Sequence, residues 1–284
     1  MKNIPVGGQA VMEGVMIKSP NYVVVSVRKK DDKIVTKIDD LKKKSNFMKF
    51  PFVRGVVNLV EMLIVGIKAL TWSANQVEEV DEQLSSKEIF WTIFFSFVFG
   101  VLLFVALPFY LTKFMVTETG LLFNLLDGLI RILIFVLYVY IISFMDDVKL
   151  LFQYHGAEHK AIHCYENNKE LNIENIKPFN PVHPRCGTAF IAIVLVISIF
   201  VFSILKDFVW YWNVALRILL IPVIAAISYE LLKAGDKRRN NWFFKILVWP
   251  GLAMQKITTS EPTDKQIDVA IDALKKALSM EKSR

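Results

Sequence analysis

The chain has 284 residues, 54% of them hydrophobic and 13% aromatic, with 22 Phe and a mean hydropathy of +0.41. That is too apolar for an ordinary soluble protein and points to an integral membrane protein. The formal charge of +7 is explained by anchoring to acidic lipid surfaces, and no nucleic-acid motif accompanies it.

The start, MKNIPVGGQAVMEG, has no apolar run of the kind a cleavable signal requires. The stretch VGGQAVMEGVMIKSP, with Gly7, Gly8 and Gly14, reads as tight turns; an anion-binding nest is the alternative, although the spacing matches no phosphate loop. Glu13 within it reads as a solvated surface residue, or else as an extra carboxylate for a site. YVVVSVRK and KIVTKI flank a polar turn containing Asp31 and Asp32, the pattern of a hairpin. Residues 1–50 are therefore expected to form a small Gly-rich and β-hairpin element. Phe52–Trp72 carries Arg54, Glu61 and Lys68 at heptad intervals, which suits an amphipathic helix on a membrane surface or in a protein groove. With the charged linker QVEEVDEQLSSKE it makes up the segment 51–88.

A membrane helix needs about 20 mostly apolar residues. Four stretches qualify: Ile89–Phe114, Leu121–Met145, Thr188–Leu205 and Asn213–Leu232. Segments 89–145 and 188–232 are thus two pairs of spans around a polar loop, 146–187. Asp127 and Arg131 fall four apart inside the second span and are expected to neutralise each other or to snorkel. Arg217 also falls inside a span. Lys and Arg are dense before Ile89 and after Leu232, fewer in the loop 146–187, and nearly absent from the two short loops near 115–120 and 206–212. That bias places both termini and the 146–187 loop in the cytoplasm, with the protein multi-pass in a cytoplasmic membrane. A reducing compartment argues against a Cys164–Cys186 disulfide.

In the last segment, 233–284, WFFKILVWPGLAMQ is apolar but short and interrupted by Pro250–Gly251, so an interfacial or re-entrant piece is expected. The tail TDKQIDVAIDALKKAL pairs Thr263 with Gln266 in a capping pattern and lines up Ile267, Ala270, Ile271, Leu274 and Leu278. It should be an amphipathic helix packed on the rest of the protein or on a partner.

The chemistry concentrates in YHGAEHKAIHCYE (154–166). Three of the chain's four histidines lie there at intervals of four, and the fourth, His183, follows in NPVHPRCGT beside Cys186, one of only two cysteines. On a helix over 150–167, His155, His159, His163 and Glu166 share one arc of about 80°, Glu158 stands on its shoulder, and Cys164 points away as a packed thiol. An i, i+4 histidine pair can hold one zinc-sized ion. The first and third rings, about 12 Å apart along the axis, cannot easily share it. One pair from the helix is therefore expected to combine with His183 and Cys186, with Glu166 or Glu230 next in line. His155-Gly-Ala-Glu158-His159 also fits H-x-x-E-H, in which the glutamate activates water, but the run fits HxxxHxxxH equally well. The alternative keeps the histidines structural, stacked on Tyr154 and Tyr165 or hydrogen-bonded within a helix bundle. Lys160 and Arg185 are candidates for an anionic group, or plain solvated bases. Glu230, in ISYELLKAGD at the end of the last span, is read as a metal ligand, a general base, a partner for Arg185, or a carboxylate reaching interface water.

The blocks GGQAVMEGVMIKSP, FVRGVVNLVE, YHGAEHKAIHCYE, HPRCGTAF, ISYELLK and PGLAMQKITTSEPTDKQIDVAIDAL, in that order across essentially the whole chain, resemble the YqhQ-like family of bacterial membrane proteins. That family is a domain of unknown function carried under the label of a metal-dependent enzyme. The resemblance implies importance for Gly7, Gly8, Gln9, Glu13, Arg54, Glu230, Thr258, Thr259, Glu261 and Pro262, beside His155, Glu158, His159, His163, His183 and Cys186. The fold expected is an α-helical polytopic membrane protein with about four transmembrane helices, amphipathic or interfacial helices and a small N-terminal β-hairpin element. Three functions are open. One is a hydrolase using a divalent metal such as zinc and Glu158 as base on a membrane-borne peptide or lipid. Another is a non-catalytic scaffold or biogenesis factor for other membrane proteins, and the third is metal or proton transport. Partners beyond the lipid bilayer and the oligomeric state are not legible.

Overall fold

The computed structural model describes residues 4–42, 45–77, 85–116, 120–184, 186–203, 210–237 and 241–283. The N-terminal segment folds as a four-stranded antiparallel meander, with β1 (Gly7–Val11), β2 (Gly14–Lys18), β3 (Tyr22–Arg28) and β4 (Ile34–Asp40) in sequential order. The expected hairpin is β3–β4. The glycine-rich stretch ahead of it is a second hairpin rather than a set of isolated turns: Val11 pairs with Gly14 around Met12 and Glu13, and Glu13 takes a positive φ of 49°.

The period-two alternation of a strand sends Val15, Ile17 and Val24 to one face and Met16, Val23, Val25 and Val27 to the other. Both faces are covered, which explains why β3 reads as a nearly unbroken apolar run. On the first face lie two helices distant in sequence, α5 (Asp146–Glu166) and α10 (Asp264–Lys282). The stripe predicted on the tail helix is buried there, with Ile267, Ala270 and Leu274 fully enclosed. On the second face lies α1 (Val53–Val77), through Met62, Val65, Ala69 and Trp72. Two of its heptad charges bind inside the protein: Glu61 pairs with Lys18, and Arg54 grips both oxygens of Glu230. A groove between the sheet and α8 (Trp210–Lys237) thus holds the amphipathic segment.

The apolar helices form the other half of the molecule. One long helix runs as α2 (Ser86–Val101), a π-helical turn at Leu102–Ala106, and α3 (Leu107–Met115). It is followed by α4 (Leu121–Ile142), and later by α7 (Gly187–Ser203), α8 and α9 (Trp242–Thr258). Lys87–Met115, Leu121–Ile142 and Tyr211–Gly235 are long and apolar enough to cross a membrane. The count differs from the four expected because α7 is described for only 17 residues, and Leu205 lies outside the described residues. Phe90, Trp91, Phe94, Phe95, Phe97 and Phe99 on α2 are all exposed, an arrangement that suits lipid contact.

Asp127 and Arg131 do not snorkel. They are buried among α4, α7 and α8, where Arg131 and Arg217 both donate to Asp127 Oδ2 at 2.5 Å, Arg217 reaches Asn124 at 3.2 Å, and Arg131 reaches Ser198 at 3.0 Å. α9 runs helically through Pro250, so the expected break is not there. Its Gly251 lies so close to α7 that an added Cβ would stand 2.4 Å from the Ala189 Cα. Small residues allow such crossings between apolar helices. A one-turn helix, α6 (Ile173–Ile176), follows α5.

Candidate metal centre

The site forms where the sheet half meets the apolar helices, on the face of α5 that the sequence singled out. α5 contributes His155, Glu158, His159, His163 and Glu166; the loop leading into α7 contributes His183 and Cys186. The four imidazoles make a continuous row: ring centroids are 4.3 Å apart for His155–His159, 5.6 Å for His159–His183 and 4.5 Å for His163–His183. Their ligand atoms fall into two groups, His155 with His159 and Cys186, and His163 with Glu166 and His183, each within 4.8 Å of one another. The expected set, one helix pair with both His183 and Cys186, is not gathered as one group: Cys186 joins His155 and His159, whereas His183 lies with His163 and Glu166.

Ring protonation follows from the partners. His155 Nδ1 lies 2.8 Å from the Thr258 carbonyl oxygen, and His159 Nδ1 bonds the Pro181 carbonyl. A carbonyl can only accept, so both rings carry their proton on Nδ1 and turn an Nε2 lone pair inward. His155 Nε2 stands 3.1 Å from Cys186 Sγ, and Thr188 directs its N–H and its hydroxyl at the same sulfur from 3.4 and 3.2 Å. Two neutral imidazole nitrogens and one sulfur therefore converge, each ring held from behind by a backbone carbonyl. That is the outer-shell arrangement by which metal-binding histidines are oriented. The donor set fits a borderline ion such as zinc.

Glu158 is 2% exposed, with Oε2 3.4 Å from His159 Nε2. β1 passes directly against it, since a Cβ on Gly8 would stand 2.8 Å from Glu158 Oε1. Burial pushes the Glu158 carboxyl up, against the pull of His155 and His183. Burial likewise pushes the His159 imidazolium down, leaving the neutral form that ligation requires.

Several contributors carry no sequence signal beyond their presence in a family block. Gln255 on α9 clamps His183 through both backbone groups, accepting from its N–H at 2.7 Å and donating to its carbonyl at 2.9 Å. Gly156, a poor helix former inside the motif, is there because Ser260 crosses α5: an added Cβ would lie 2.1 Å from the Ser260 carbonyl oxygen, and Ser260 N–H bonds the Phe152 carbonyl at 3.0 Å. The block Thr258–Pro262 is thus a strap over the site helix. Lys160 is not a solvated base; it is buried, and its ammonium binds Glu261 and the Lys177 carbonyl. Glu13 is tied to the Tyr154 hydroxyl at 2.9 Å at the neighbouring turn of α5. Glu230 joins neither ligand group; Arg54 binds both of its carboxylate oxygens. Arg185 lies outside the described residues. Cys164 is buried with its thiol against the Glu170 carbonyl, and burial pushes its ionisation up, as a packed thiol should behave.

A family model for a protein of unknown function, DUF1385, matches residues 50–280. The chain belongs to the DUF1385 family. It is also similar to the uncharacterized protein YqhQ of Bacillus subtilis (strain 168), 34% identical over 296 residues that cover 97% of this chain and 92% of that protein. No solved structure matches it. The DUF1385 match spans every ligand described above, while β1–β4 lie ahead of it. Neither description states an activity, so chemistry must be argued from the geometry.

Proposed function

We propose that this DUF1385 protein is a multi-pass bacterial membrane protein carrying a metal-dependent hydrolase site on the cytoplasmic side, acting on a membrane-borne peptide or lipid. The observation that supports it best is the convergence of His155 Nε2, His159 Nε2 and Cys186 Sγ beside a buried Glu158. Three protein ligands leave one coordination position open, as catalytic rather than structural zinc sites do. His155, His159 and Cys186 would hold the ion. When bound, the ion supplies Lewis acidity that lets a water lose its proton near neutral pH. Glu158 accepts that proton, its raised affinity for one suiting it to act as base and then acid. α5 packs on the sheet while its His155 and Phe152 bond Thr258 and Ser260 at the end of the apolar helix α9, which supports a substrate presented at the bilayer surface, and the lysine-rich flanks support the cytoplasmic orientation.

The test is Glu158→Gln in detergent-purified protein, with metal measured by elemental analysis and turnover followed by mass spectrometry of lipid and membrane-peptide pools. The ion should stay while turnover falls by a factor of about 10²–10⁴. Equal turnover in the variant would refute the catalytic reading and favour a scaffold in which the ion only stiffens the loop. Native protein without an ion dependent on His159 would refute the metal itself.

A further inference from the structure

We infer that the substrate of the hydrolase reading above, on which this step rests, is an extended polypeptide segment that binds by adding a strand to the free edge of β1. β1 is an end strand of the sheet, and the register fixes which of its backbone groups face outward. Val11 pairs with Gly14 across Met12 and Glu13, so Val11, Gln9 and Gly7 exchange their hydrogen bonds with β2. The Arg28 N–H, 2.8 Å from the Glu13 carbonyl oxygen, fixes the same phase from the other side of β2: Glu13, and with it Val15 and Ile17, turns toward β3. The N–H and C=O groups of Gly8 and Ala10 therefore point away from the sheet.

That edge is closed at both ends and open between them. The Met12 N–H donates to Ser73 Oγ at 3.1 Å, and the Ile4 N–H donates to the Tyr165 hydroxyl oxygen at 2.8 Å. Among the described residues, no hydrogen bond takes the outward groups of Gly8 and Ala10. Both residues are half-buried, Gly7 is exposed, and a Cβ on Gly7 would meet nothing within 4 Å. Charged side chains are a common guard against pairing at a sheet edge. β4, at the opposite edge, carries Lys37, Asp39 and Asp40, whereas β1 carries no charge.

The neighbour of this edge gives the pairing its use. α5 is tied along β1 by Tyr154 to Glu13 at one end and by Tyr165 to Ile4 at the other, and between these ties Gly8 lies against Glu158. A strand added about 4.8 Å beyond β1 would send alternate side chains to the face on which Glu158 lies. There Glu158 Oε2 stands 3.4 Å from His159 Nε2. Main-chain pairing gives such a complex its affinity, and the alternate side chains give it selectivity. A phospholipid offers no ladder of amides to this edge.

The experiment is residue-resolved hydrogen–deuterium exchange on the full-length protein in detergent. The probe is a capped heptapeptide of alternating threonine and valine, and its control is the same peptide N-methylated at every second residue. Before addition, the Gly8 and Ala10 amides should exchange fast, and the Gln9 and Val11 amides, bonded to β2, slowly. The probe should slow Gly8 and Ala10 at least about tenfold, and the N-methylated peptide should not. Ala10→Pro removes an outward N–H and no bond to β2, so it should weaken probe binding about tenfold while leaving the bound ion and the melting temperature unchanged. Should that variant fail to fold, the N-methylated peptide decides alone. Gly8 and Ala10 amides already slow in the free protein, or slowed equally by both peptides, would overturn the inference. Slowing by added phosphatidylglycerol in place of the probe would favour a lipid and overturn it too. No slowing by the probe in protein that retains its ion would refute the edge and leave the metal centre standing. Slowing that persists in Cys186→Ser protein without an ion would uphold the edge even if the hydrolase reading fell.

Discussion

Gly156→Ala separates the strap over α5 from simple helix chemistry, because the two act in opposite directions. In a solvent-facing helix the change would stabilise by about 1 kcal/mol, since glycine is the poorer helix former. Here the new methyl would meet the Ser260 carbonyl oxygen at 2.1 Å, and that oxygen belongs to a backbone fixed by the Ser260 N–H to Phe152 bond. Overpacking of this kind costs about 1–3 kcal/mol. Displacing the strap also loses that hydrogen bond, about 1 kcal/mol more. The net expectation is destabilisation of about 1–3 kcal/mol after the propensity gain is subtracted. The strap carries the Thr258 carbonyl that orients His155, so metal affinity should fall about 10- to 100-fold as well. Thermal unfolding in detergent, with and without added Zn²⁺, measures both effects. Gly7→Ala is the matched control, since nothing lies within 4 Å of its added methyl. A Gly156→Ala protein that melts higher than native and binds Zn²⁺ as tightly would refute the reasoning.

Asp127→Asn leaves Arg131 and Arg217 buried without their shared carboxylate, and removing one partner of a buried ion pair costs about 3–5 kcal/mol; a melting temperature unchanged in detergent would contradict this. Asp272 receives Ser26 and Thr36 hydroxyls at 2.8 Å and the Lys276 ammonium at 2.9 Å, which hold its carboxyl low despite the opposing effect of burial. A lowered carboxyl stabilises the fold above its ordinary value of 3.8 and loses that contribution as pH falls through the folded value. Native protein should therefore lose stability in acid more steeply than Asp272→Asn, as read by intrinsic fluorescence between pH 5 and 2. Native alkylation should label Cys186 only after chelation, because a bound ion shields its sulfur, and Cys164 only after unfolding. Equal labelling of both thiols in metal-loaded protein would count against the centre.

The face of α5 was legible because a period of 3.6 gathers His155, His159, His163 and Glu166 whatever surrounds them. The tail helix was legible for the same reason, and β3–β4 because its residues are β-branched. The first hairpin was not: Gly7, Gly8 and Gly14 advertise turns, whereas the sheet needs Gly8 so that β1 can lie against Glu158. Pro250 suggested a break that packing along α7 overrides. Arg54 and Glu230 are 176 residues apart, and no local pattern announces that one grips the other. The separation of the histidines into two groups depends on carbonyls at Pro181, Val182 and Thr258, and a backbone oxygen leaves no mark in a sequence.

Gln255 and Thr258 sit on the last turns of α9, a helix otherwise seated beside α7 among the apolar elements. A truncated chain reduced to its sheet, α5 and α10 would keep every histidine of the HxxxHxxxH run. It would lack Cys186, the clamp that presents His183, and the carbonyl that sets the tautomer of His155. Such a fragment would bind ions as a floppy peptide does, and chemistry inferred from it would mislead about the intact protein.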